Sequence, residues 1–228
     1  MRRRIMETTL EGALTGIGNT PLVELVRVVP PGSARVMAKL EWANPTGSMK
    51  DRMARAAIEA AAGDGRLRPG DTVVEYTAGT TGISLAFVCA ALGYRLHIVF
   101  SDAFSVEKRR TMRAFGAVIE DIPSDAGRIT ETLIKSMIAR AGEVASQPGR
   151  WWCDQLNNRD AILGYMPLGE EIWTQTGGRI DAFVHAVGTA HSIHGAARAL
   201  RAHGAAVHVT AVEPAESAVL SGGPTGSH

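Results

Sequence analysis

The chain has 228 residues, 45% hydrophobic and 21% charged, a globular composition long enough for one large domain or two small ones sharing a cleft. Its 24 basic and 23 acidic residues leave a formal charge of +1, which removes the electrostatic attraction that nucleic-acid and membrane-surface binders depend on. The longest apolar run, residues 85–92, falls far short of the ~20 residues that cross a bilayer. Arg2, Arg3 and Arg4 lead into Glu7, Thr8 and Thr9 rather than into a secretory signal. The expected compartment is therefore the cytoplasm, where Cys89 and Cys153, which make no disulfide framework, would stay reduced.

The 25 glycines, about 11% of the chain against a usual ~7%, point to many tight turns. From residue 35 onward, short β-rich runs alternate with longer helical patterns. Strands are predicted at 36–41, 72–76, 96–100, 117–122, 181–187 and 206–213, and helices at 50–62, 81–92, 105–115, 128–141, 168–176 and 192–203. Parallel strands need crossover helices on both faces of the sheet, so this rhythm predicts a doubly wound α/β architecture with ligands at the carboxyl ends of the strands. Ser146-Gln147-Pro148-Gly149-Arg150 interrupts the rhythm and is the expected boundary between two lobes.

Three junctions concentrate the chemistry. The first is Asn44-Pro45-Thr46-Gly47-Ser48-Met49-Lys50-Asp51, where Ser48 is expected to cap a helix with Asp51 as its reciprocal capping-box partner. Lys50 then lies in the first turn, where a cation opposes the helix dipole by roughly 0.3–1 kcal/mol. The same field lowers an amine's pKa and suits a nucleophile, a Schiff-base partner or a general base. The alternative is a solvated lysine that reaches away from the terminus.

The second junction, Thr77-Ala78-Gly79-Thr80-Thr81-Gly82, follows strand 72–76 and opens onto an apolar helix. Its glycines let a ligand approach the backbone, and free N–H groups with three threonine hydroxyls suit a carboxylate or phosphate; the alternative is a plain glycine-rich turn. The third, Gly188-Thr189-Ala190-His191-Ser192-Ile193-His194-Gly195, repeats this logic after strand 181–187. Neither loop is a dinucleotide fingerprint or a Walker loop. His191 and His194, three residues apart, have no accompanying Cys, Asp or Glu cluster, so no metal site is expected. Cys89 reads as a core residue, Cys153 has no assignable histidine partner, and Glu107, Lys108, Arg109 and Arg110 read as a solvated face.

Taken in order, the three junctions resemble the cysteine synthase and cystathionine β-synthase family of fold-type II pyridoxal-phosphate enzymes. The resemblance runs from Ile17-Gly18-Asn19-Thr20-Pro21-Leu22 to the end of the chain and includes Gly169-Glu170-Glu171-Ile172-Trp173 and Val212-Glu213-Pro214. It implies two doubly wound α/β lobes of the tryptophan synthase β type with mainly parallel sheets. The smaller lobe would span 36–155, with the Schiff-base lysine and substrate loop. The larger would combine 15–35 with 156–228, carrying the phosphate loop.

The resemblance further implies pyridoxal 5'-phosphate as cofactor, carried by Lys50 as an internal aldimine, with Gly188, Thr189, Ala190, His191 and Ser192 around its phosphate and Thr80 near its ring. Thr77, Gly79, Thr81 and Gln155 match substrate-binding positions, Thr77, Thr81 and Gln155 at the substrate carboxylate. The implied reaction is β-replacement on an O-activated serine such as O-acetylserine: Lys50 removes the α-proton, an aminoacrylate forms, and a sulfur nucleophile adds to give cysteine or a related thioether. A homodimer is the implied assembly. Dehydratase-type β-elimination of serine or threonine and a non-catalytic, cofactor-binding interaction protein are the alternatives. The family's second loop commonly reads Thr-Ser-Gly-Asn-Thr-Gly, so Ala78 and Thr80 depart from it, as Ala190 and His191 depart from Gly-Thr-Gly-Gly-Thr. Family members continue beyond the segment matched by residues 221–228; the expectation is a C-terminally truncated larger lobe with an apolar face and an open strand edge.

Overall fold

The structure, a computed structural model, describes residues 12–204 and 206–226. Its centre is a four-stranded parallel sheet of β3 (Thr72–Tyr76), β4 (Arg95–Ser101), β5 (Val118–Ile122) and β6 (Arg150–Trp152), in the order β5-β4-β3-β6. Alternation along the strands divides the core between the two faces. Val73, Ile98 and Phe100 join Met53 and Ile58 of α1 (Lys50–Gly63), Leu85 and Val88 of α2 (Thr80–Leu92) and Met112 of α3 (Val106–Ala114). Val74 and Val99 pack on the other face against Leu133, Met137 and Val144 of α4 (Glu131–Ala145). Helices thus cover both faces, as the sequence rhythm predicts.

A second body of core joins α5 (Asp160–Gln175), α6 (His191–Ala202), β7 (Ala182–Ala186) and β8 (His208–Val212) through Leu168, Ile172, Phe183, Leu200 and Val207. β7 and β8 form a parallel pair on which Val184 and Val212 remain 60% and 46% exposed. Helices α5 and α6 meet through small residues: a Cβ on Gly169 would lie 2.4 Å from the Ala196 carbonyl oxygen, and one on Gly195 2.5 Å from that of Ile162. Among the described residues, no helix is long and apolar enough to cross a membrane.

Three features depart from the sequence expectation. β1 (Leu22–Glu24) was not anticipated; it pairs antiparallel with β2 (Met37–Lys39), and the strand expected at 36–41 ends early because Glu41–Ala43 turns into a 3-10 helix. β6 begins inside the stretch expected as a lobe boundary, since Gly149 at φ +70° turns the chain into register with β3. Helix α5 begins at Asp160 rather than at 168 and continues through Pro167. The proline removes one backbone donor, and the continuing helix is held by packing on α1 and α6.

A buried ionic cluster ties α5 to α1 and the β2 region. The Arg52 side chain, 2% exposed, donates from Nε to Glu41 at 2.7 Å and from Nη1 to Glu171 at 2.7 Å. Lys39 reaches the same Glu171 at 2.7 Å, and the Asn19 amide donates to it at 3.0 Å. Burial raises the Glu171 carboxyl, but the Arg52 and Lys39 hydrogen bonds and the Asn19 amide outweigh it and hold the group at about 2.

Candidate active site

The chain contains four lysines, Lys39, Lys50, Lys108 and Lys135. Lys39 pairs with Glu171, and Lys135 with Glu131 on the surface. Lys50 opens α1, half-buried and without a carboxylate partner among the described residues, its Nζ 5.9 Å from the centre of the Tyr165 ring. Burial lowers its pKa, which enlarges the neutral, nucleophilic fraction of the amine.

The expected capping box is corrected. The helix is preceded by Met49 with no side-chain cap, and Ser48 Oγ accepts the Lys50 N–H at 3.1 Å. Asp51 is drawn into the loop instead, accepting from the Thr46 amide at 2.8 Å and from its hydroxyl at 2.5 Å. Thr46 also lies 3.3 Å from Ser84 Oγ on α2, which joins the lysine loop to the helix opened by the second junction.

At that second junction, the backbone folds tightly on itself. Buried Thr77 accepts the Gly79 N–H at 2.9 Å, and Gly79 sits at φ +138°, a conformation suited to glycine. A Cβ on Gly82 would lie 2.4 Å from Met112 Sδ. Thr80 is the exposed first residue of α2, and buried Thr81 donates its hydroxyl to Gln155 Oε1. Thr77, Gly79, Thr80, Thr81 and Gln155 line one cavity of about 280 Å³ at the carboxyl ends of β3 and β4.

Two residues of this region were missed by sequence reasoning. Glu75, fully buried on β3, accepts the Gln155 amide at 2.9 Å, the Tyr76 amide at 2.9 Å and Trp152 Nε1 at 3.3 Å. Burial pushes it up to about 7 against those hydrogen bonds. The signal was an acid inside the apolar run Thr72-Val73-Val74-Glu75-Tyr76. Lys108 belongs to the cluster expected as a solvated face; Glu107 and Arg110 are exposed as expected, and the correction falls on Lys108 and Arg109, which are partly buried. Arg109 pairs with Asp121 at 2.9 Å over the Phe100 ring, and Lys108 lies on Gly79 at the cavity wall.

The third junction leaves β7 and enters α6 through Gly188, Thr189 and Ala190. Ala190 takes the left-handed conformation at φ +64°, so an alanine stands where the backbone asks for a glycine. Nothing would meet a Cβ on Gly188 within 4 Å, so the loop faces open space. Ser192 Oγ lies 2.8 Å from His185 Nε2, and His191 is buried with Nδ1 unpartnered, whereas His194 is exposed. Burial first, and then the charge of Lys50, lowers the pKa of both His185 and His191.

The arrangement is a partly desolvated amine at the start of α1 and two loops that each follow a strand and open a helix, in a doubly wound α/β frame. The chain belongs to the pyridoxal-phosphate dependent enzyme family, whose profile matches residues 13–228. It is 39% identical over 214 residues to a cysteine synthase of Staphylococcus aureus, covering 93% of this chain and 67% of that protein. It is 40% identical over 207 residues to cysteine synthase B of Escherichia coli, covering 90% of this chain and 66% of that one. The crystal structure of O-acetyl serine sulfhydrylase isoform 3 from Entamoeba histolytica superposes with a TM-score of 0.86 at 40% identity, over 95% of this chain and 64% of that one. The chain thus spans about two thirds of the length of the relatives it matches.

The residues present fit the cofactor. An uncompensated amine suits its aldehyde, and the first-turn amides of α6, the Ser192 hydroxyl and the open space at Gly188 suit a phosphate.

Proposed function

We propose that this chain carries out pyridoxal-phosphate-dependent β-replacement on an O-activated serine such as O-acetylserine, with a sulfur nucleophile, to give cysteine or a related thioether. The observation that carries the reading is Lys50, a half-buried amine that opens α1 5.9 Å from the Tyr165 ring centre and has no carboxylate partner among the described residues. Its Nζ would hold the aldehyde carbon of the cofactor and accept the substrate's α-proton. Gly188, Thr189, Ala190, His191 and Ser192 would hold the phosphate, and Thr80 would face the ring. When bound, the cofactor supplies the electron sink that lets an α-proton and a β leaving group depart.

Thr77, Gly79, Thr81 and Gln155 would receive the substrate, with its carboxylate at Thr77, Thr81 and Gln155. Glu75 is a positioning residue that fixes the Gln155 backbone. The lobes are assigned to 36–155 and to 15–35 with 156–228, and the protein is read as a cytoplasmic homodimer. The names of the similar proteins support this choice of substrate.

The test is product analysis. Cofactor-loaded protein given O-acetylserine and sulfide yields cysteine, and Lys50→Ala loses at least about a thousandfold of that rate, as expected when nucleophile and base are removed together. Pyruvate from serine without cysteine formation would assign the chain to elimination instead.

A further inference from the structure

We propose that Lys108 reads the carboxylate of the amino-acid substrate, adding a cation to a loop otherwise built from neutral donors. The inference rests on the substrate reading of the cavity at Thr77, Thr81 and Gln155. Among the described residues lining that cavity there is no carboxylate and no arginine, and Lys108 is the one group that carries positive charge. An anion entering the space meets hydroxyls, an amide and one ammonium.

The Lys108 side chain lies against Gly79. A Cβ on Gly79 would lie 2.1 Å from Lys108 Cδ and 3.1 Å from its Cβ and Cγ, so the side chain occupies the space that the glycine leaves open. The carboxylates nearby are engaged elsewhere: Glu107 accepts from Ser105 at 2.7 Å, Asp121 pairs with Arg109 at 2.9 Å and Asp102 accepts the Ser124 amide at 2.7 Å. Among the described residues none forms an ion pair with Lys108. The lysine also lies in the first turn of α3, where the helix dipole opposes a cation. A bound carboxylate relieves that opposition and pairs with the ammonium in one contact.

The experiment compares O-acetyl-L-serine with its α-carboxamide on cofactor-loaded wild type, Lys108→Ala and Lys108→Arg. It reads both kcat/KM and the amino-acid dissociation constant from the visible spectrum of the bound cofactor. In wild type the carboxylate is preferred over the carboxamide, and Lys108→Ala weakens the carboxylate by about tenfold or more while leaving the carboxamide within about twofold. Lys108→Arg restores most of the preference, and cofactor affinity is the same in all three proteins. Equal weakening of both ligands in Lys108→Ala, or no weakening, overturns the role of Lys108 while the substrate reading stands. A wild type that holds the cofactor but binds neither ligand overturns the substrate reading and the role of Lys108 with it.

Discussion

At the scale of single residues, the site is set by groups whose surroundings oppose their ordinary state. Lys50 is an amine lowered by burial, Glu75 an acid raised by burial to about 7, and Ala190 an L-residue in the left-handed region. Ala190 gives the simplest check, because its strain belongs to the backbone and requires no ligand. Ala190→Gly is expected to stabilise the protein by about 1 kcal/mol, the relief of a non-glycine left-handed conformation less the entropy that glycine adds to the unfolded chain. A denaturation midpoint unchanged or lowered in that variant would show that the loop does not carry the strain. Lys50 and the loop at 77–82 were legible in the sequence because an amine in a first turn and a run of small residues after a strand are local signals. Lys108 and Glu75 were not, because their roles arise from contacts with Gly79 and Gln155 that the residue types alone do not announce.

At the scale of elements, the helices and strands that carry strong periodicity were legible and the short or interrupted ones were not. β3 matches its sequence expectation residue for residue, since Thr72–Tyr76 is a β-branched, mostly buried run. β6 has three residues and owes its existence to pairing with β3, a long-range contact invisible in a local pattern. Pro167 hid the first half of α5, which survives on packing against α1 and α6. The Ser48–Asp51 capping box failed because Thr46 competes for the same carboxylate.

The cluster of Arg52, Glu41, Glu171 and Lys39 that anchors α5 carries a prediction about acid. Glu171 is held at about 2 against an unfolded value of ~4.3. A depressed carboxyl contributes stability that is fully present above the unfolded value and is lost as pH falls through the folded one. The contribution should therefore disappear between about pH 4.5 and pH 2. Glu171→Gln should cost about 3 kcal/mol at pH 7, as for a broken buried pair, and the penalty should shrink steadily towards pH 2. Denaturant midpoints of both proteins at pH 7, 4 and 2.5 decide this; a penalty independent of pH would remove the ion pairs from the account.

At the scale of the whole molecule, the proposed function requires three separate junctions to come together. The lysine loop reaches α2 through Thr46 and Ser84, Gln155 closes on Thr81, and the charge of Lys50 is felt at His185 and His191. The four-stranded parallel sheet does this for two of the pieces, ending β3 and β6 at the same edge so that Thr81 and Gln155 meet, while the lysine loop follows β2 of the antiparallel pair and the loop at 188–192 follows β7 of the third sheet. The order of the junctions along the chain carried the family resemblance, and the profile match and the fold likeness bear it out.

The central claim is that Lys50, among four lysines, is the one that takes the cofactor. The most direct measurement loads the full chain with pyridoxal 5'-phosphate, reduces it with borohydride and locates the added mass by peptide mass spectrometry. The account predicts a single cofactor-derived adduct on the peptide containing Lys50, absent from Lys50→Ala. An adduct on Lys108 or spread over the surface lysines, or none on the Lys50 peptide, would contradict it.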